Sequence, residues 1–130
     1  MNPAKESRNA VSNAHQIANN TDYEAGDPPA PELEAAMGEL MGEWTKAGKM
    51  VSAAGLRPTS LGARVRLSAG QVRMTDGPFT EAKEVIGGFF VLETKDKADA
   101  VRMTERFAEL HGKVLGKDFL LECELRELEG

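Results

Sequence analysis

The sequence predicts an α+β domain in which an antiparallel sheet carries two helices on one face. Two stretches, Leu33–Ala47 and Ala100–Leu110, repeat apolar residues at three- and four-residue steps, the spacing of a single helix face. Arg64–Ser68, Gln71–Thr75 and Phe119–Arg126 instead alternate apolar with polar residues, as half-buried strands do. In chain order the segments read strand, helix, strand, hairpin, strand, helix, strand. That is a βαββαβ unit with an inserted β-hairpin, which seats both helices on the same side of the sheet.

Each element has a local reason. Residues 1–20 hold Asn9, Asn13, Asn19 and Asn20, with Val11 and Ile17 as the branched aliphatics. Such a segment buries too little apolar surface to offset its ordering entropy, so it is expected to be weakly structured. Met1–Arg8 is expected to be mobile, with a weak strand somewhere in Ala10–Asn19. Residues 21–130 are expected to form the domain proper. Gly26, Pro28, Pro29 and Pro31 mark a loop before it, and Pro31 suits the first turn of a helix, with Glu32 and Glu34 at the positive end of its dipole. Leu33, Met37, Leu40, Met41, Trp44 and Ala47 form the apolar stripe, and Gly48 the stop. Gly38 and Gly42, inside this helix, either admit a close-packed backbone or weaken the helix; close approach is the reading to test.

Lys49–Ala54 reads as a short strand ended by Gly55 and Pro58. The hairpin turns at Ala69-Gly70, with Val65 and Leu67 facing the same way as Val72 and Met74. Phe89–Leu92 is apolar on both faces and is expected to be covered from both sides. Asp96 or Asp99 caps the second helix, whose stripe is Ala100, Met103, Phe107 and Leu110, with Gly112 as its stop. The sheet face away from the helices needs a cover, and a second copy packed sheet against sheet is the expected one, making a homodimer.

The 130 residues carry 16 Lys+Arg against 21 Asp+Glu, a net charge of −5, which argues against general nucleic-acid binding. No apolar run approaches the roughly 20 residues needed to cross a bilayer. The one cysteine, Cys123, excludes an internal disulfide and points to the reducing cytoplasm. Two histidines and that cysteine lack ligand spacing, so neither a metal nor a cofactor is expected. No glycine-rich phosphate loop is present.

The informative stretch is Thr75-Asp76-Gly77-Pro78-Phe79-Thr80-Glu81-Ala82-Lys83-Glu84. With Ala47-Gly48, Ala54-Gly55-Leu56, Gly62-Ala63-Arg64-Val65-Arg66 and Gly87-Gly88-Phe89, it resembles the DGPF branch of the YCII-related domain family over about Tyr23–Leu125. The resemblance implies a ferredoxin-like fold that pairs as a dimeric α+β barrel. It also implies a His and an Asp facing a cleft. Aligned on Ala47-Gly48, Met37 stands where such a His would be, and Asp76 corresponds to the acidic member. The resemblance further implies an association with extracytoplasmic-function sigma factors.

Asp76-Gly77-Pro78 has a structural reading, in which Asp bonds back to the following amides, Gly takes unusual dihedrals and Pro fixes φ. Glu81, Lys83 and Glu84 add a functional one: three carboxylates around one lysine can hold one carboxyl near neutrality for acid–base work. Asp76 is then the candidate catalytic group. Trp44, Arg64, Asp76, Phe79, Glu81, Lys83 and Glu84 are the candidate ligand contacts, with Lys83 on an anionic group. Arg64, Arg66 and Arg73 are expected to pair with the acids or, alternatively, to hold an anionic ligand. His111 reads as a cation in the last helical turn, favoured by the dipole. Cys123, alternating with Leu121 and Leu125, reads as a small core hydrophobe. Two functions follow: a site for a small polar molecule at Asp76–Glu84, or a non-catalytic dimeric module serving a transcriptional regulator such as a sigma factor.

Overall fold

Pro31 opens the first helix and acidic Glu32 and Glu34 follow in its first turn, as the dipole favours. The structure, a computed structural model, describes residues 7–15, 30–79 and 86–129. Its elements are β1 (Ser7–His15), α1 (Pro31–Lys46), β2 (Met50–Gly55), a 3₁₀ turn (Thr59–Leu61), β3 (Ala63–Ser68), β4 (Gln71–Asp76), β5 (Gly88–Thr94), α2 (Lys97–Leu115) and β6 (Glu122–Glu127). Four strands form an antiparallel sheet in the order β2-β5-β1-β6, and β3-β4 form a separate hairpin. The chain is an α+β protein, and its strand order is compatible with a ferredoxin-like arrangement.

The core joins both helices to one face of β5. Leu40 and Trp44 of α1, Phe90 and Leu92 of β5, and Met103 and Phe107 of α2 are its buried members. Trp44 and Phe107 flank Phe90 at 5.5 and 5.0 Å between ring centroids, a tilted packing favoured by ring quadrupoles. Met37, Met41, Met50, Leu121, Cys123 and Leu125 pack around this cluster, so Cys123 is the core hydrophobe that its alternation predicted. Outside it, Glu43 of α1 accepts from both terminal nitrogens of Arg106 of α2, at 3.2 and 2.8 Å.

Several expectations change. The strand expected in Ala10–Asn19 runs from Ser7 to His15, taking in Ser7 and Arg8 of the end expected to be mobile; it pairs with β5 on one side and β6 on the other, with a register shift between Val11 and Asn13. Gly112 does not stop the second helix. Val114 and Leu115 still bury part of their surface, and the helix continues to Gly116, whose φ of 95° makes the break. Asp96 caps that helix, its carboxylate accepting from the Asp99 amide at 2.8 Å. Phe90 and Leu92 of β5 are buried within the single chain, Phe89 is exposed and Val91 half-buried; the second cover expected for Phe89–Leu92 is another copy, which a single chain does not include.

The hairpin follows the sequence closely. Val65 faces Met74 and Leu67 faces Val72 across the ladder. Ala69 and Gly70, at φ of 52° and 75°, form the turn, whose positive dihedrals match the right-handed twist of the strands. All four apolar side chains are at least 60% exposed, so this face meets nothing within the described residues.

Candidate functional site

The Asp-Gly-Pro-Phe turn is fastened to the 3₁₀ turn that precedes β3. Asp76 closes β4 opposite Ala63, and the Gly77 amide donates to the Gly62 carbonyl at 3.0 Å. The Gly77-Pro78 bond is cis, and the Phe79 amide donates to Thr59 Oγ1 at 3.2 Å. A Cβ on Gly77 would collide with the Thr59 carbonyl oxygen and lie 2.6 Å from its carbon, so only glycine fits there. Arg64 lays its guanidinium over the Phe79 ring, 4.2 Å from the centroid, a cation–π contact.

The turn is therefore tied to the preceding segment, and its described amides bond to Gly62 and Thr59 and not back to the Asp76 carboxylate. Asp76 itself is exposed. Arg64, Asp76 and Phe79 lie together around this turn. Trp44 lies apart from them in the core, 2% exposed, its Nε1 buried with no hydrogen-bond partner among the described residues. Glu81, Lys83 and Glu84 lie outside the described residues, as does their pairing with Arg64, Arg66 and Arg73.

A second feature lies between the helices and the sheet. A cavity of about 400 Å³ is framed by α1, β2, the start of β5 and α2, with Leu121 at one side. Gly38 stands on its wall, and a Cβ placed there would meet nothing within 4 Å; the same is true of Gly42. Of the two readings of these glycines, close approach of another backbone is not seen among the described residues. At Gly38 the missing side chain leaves space. Met37 also lines the cavity, whereas Trp44, Arg64, Asp76 and Phe79 do not.

His111 is the one titratable group among the described lining residues. The longer helix moves it away from the last turn and into the core, where it is 5% exposed. Its Nδ1 lies 2.8 Å from the Phe107 carbonyl oxygen. Because a carbonyl can only accept, Nδ1 carries the hydrogen, leaving Nε2 as the acceptor of the neutral ring. Phe107 and Phe119 lie against the ring at 4.5 and 6.2 Å. Burial lowers the pKa below the ordinary 6.5, and the bond to the Phe107 carbonyl only partly offsets it. His111 is thus a neutral base inside an apolar wall, not the helix-end cation expected. The signal for this was present: Ala100, Thr104, Phe107 and His111 continue one stripe at helical spacing, and all four are buried.

An α+β chain with both helices on one sheet face and a cavity between the layers is the class of protein that this geometry defines. The chain belongs to the YCII-related domain family, whose model matches residues 4–111. It is also similar to an uncharacterised protein of Rhizobium meliloti (strain 1021), 37% identical over 59 residues, or 45% of this chain and 48% of that protein. The match thus spans about half the length of that relative. No described helix is long and apolar enough to cross a membrane.

Proposed function

We propose that this protein binds a small molecule in the cavity between its two helices and the sheet. The supporting observation is the space itself: about 400 Å³, kept open at Gly38 and faced by one neutral histidine. Cavities of this size accommodate ligands, and an apolar wall with a few polar groups is the usual composition of a binding site. In this reading the Asp76–Phe79 turn is scaffold, and the ligand lies against α1 and α2 rather than at the Asp76–Glu84 segment.

The test is a fragment panel that includes naphthalene, followed by amide chemical shifts in the parent and in Gly38→Phe, which plugs the space. Shifts confined to the lining residues, and lost in the plugged variant, support the reading. A panel without any such shift overturns it. Circular dichroism of Gly38→Phe checks that the fold survives, and Met37→Trp gives an independent plug.

A second reading, a dimeric interaction module of ferredoxin-like chains, draws on a different feature. Val65, Leu67, Val72 and Met74 expose a continuous apolar face on a two-stranded hairpin, an element that is marginal in water when alone. Exposed Phe89 and half-buried Val91 of β5 add further apolar surface. A second copy would cover both, and a regulator such as a sigma factor would be the further partner. Sedimentation equilibrium decides the first step: a dimer dissociated by Leu67→Glu supports it, and a monomer at working concentrations counts against it.

A further inference from the structure

We infer that the cavity selects an uncharged, largely apolar ligand of one or two rings bearing a single hydrogen-bond donor, which it gives to Nε2 of His111. The inference rests on the cavity being a binding site, and it assigns the chemistry of the occupant.

Size sets the first limit. A cavity of about 150 Å³ holds a benzene, so about 400 Å³ takes a bicyclic molecule. The walls set the second. Apart from His111, every described lining residue is aliphatic, aromatic or glycine, with methionines on α1 and phenylalanines on β5 and α2. These soft, flat surfaces suit a ring.

Charge sets the third. No cationic or acidic side chain is among the described lining residues. The charged residues within seven positions of His111, namely Glu105, Arg106, Glu109, Lys113, Lys117 and Asp118, are all exposed. An ionised ligand would lose its hydration and gain no counter-charge, a penalty of several kcal/mol. The remaining requirement is one hydrogen bond. Nδ1 is committed to the Phe107 carbonyl at 2.8 Å, so the only polar side-chain atom His111 can present is Nε2, which has no partner among the described residues. Being unprotonated, Nε2 accepts. A hydroxyl or ring N–H satisfies it, whereas an ether, ketone or carboxylate does not.

The experiment compares naphthalene, 2-naphthol and 2-naphthoate by calorimetry at pH 7.5 on the full chain. The parent is expected to bind 2-naphthol about tenfold more tightly than naphthalene, and 2-naphthoate more weakly than either. In His111→Leu the tenfold preference is expected to vanish while naphthalene still binds. The parent protein gives a second readout that needs no variant. As the pH falls and Nε2 gains a proton it can no longer accept, so the preference for 2-naphthol shrinks and 2-naphthoate gains. Equal affinity for naphthalene and 2-naphthol in the parent, or a preference that survives in His111→Leu, overturns this inference and leaves the binding site intact. Failure of both naphthalene and 2-naphthol to bind overturns the site itself.

Discussion

The Phe79 amide donates to the Thr59 hydroxyl at 3.2 Å, joining residues twenty positions apart in the chain. With the Gly77-to-Gly62 bond and the absence of room for a Cβ at Gly77, it makes the Asp-Gly-Pro-Phe segment a clasp between β4 and the turn before β3. Gly77→Ala forces backbone against backbone and is expected to cost about 2 kcal/mol or more. Thr59→Val leaves one amide unpaired and is expected to cost about 1 kcal/mol. Asp76→Ala removes an exposed side chain and is expected to stay within about 0.5 kcal/mol. Urea denaturation of the three variants checks the ranking, and a large loss at Asp76 would contradict it.

Gly38 offers the opposite outcome. A methyl group there meets nothing within 4 Å, and the site is in the interior of α1. Gly38→Ala is expected to raise stability by up to about 1 kcal/mol, read as a melting temperature a few degrees higher. Gly48 meets nothing either, but its φ of 73° disfavours any side chain, so Gly48→Ala is expected to lose about 1 kcal/mol.

Acid sensitivity is expected at Asp99. Burial alone would raise its pKa. Hydrogen bonds from Lys49 and the Lys95 amide, with the charges of Lys49 and Arg102, outweigh burial and hold the carboxyl below its ordinary 3.8. A depressed folded pKa means that the stabilisation is complete above the unfolded value and is lost as the pH falls through the folded one. Asp99→Asn is therefore expected to cost about 1 kcal/mol at pH 7, with the gap to the parent closing at the acid end of a denaturation series. A gap independent of pH would show that packing, not charge, is what Asp99 supplies.

Cys123 gives a chemical readout. Burial, aided by the Glu122 charge, pushes its thiol up to about 11. At pH 8 its thiolate fraction is then on the order of 0.1%, and iodoacetamide is expected to label the folded chain at least ~100-fold more slowly than the unfolded one. Comparable rates would mean that β6 opens freely.

How much of this was legible in the sequence depended on how local the cause was. The hairpin needs only alternation and a glycine at its turn, and Val65 through Met74 took the register that the pattern required. The apolar stripe of α1 and the Asp96 cap were readable for the same reason. β1 was harder: its residues are polar, and its central position comes from backbone pairing to strands far along the chain, which no local pattern announces. The cavity was not legible at all, because it is made by what is missing. Gly38 and the small residues of β2 leave room only once two helices and a sheet are in place. His111 was misread because Gly112 looked like a terminus; a helix that still has Val114 and Leu115 to bury runs past it.

The central position of β1 also bears on how the protein is made. Ser7–His15 is translated before both of its neighbours: Gly88–Thr94 follows some eighty residues later, and Glu122–Glu127 later still. The middle of the sheet therefore has to wait, unpaired, while the helices and hairpin emerge. Pairings so distant in sequence must close long loops before they are rewarded, and this slows folding.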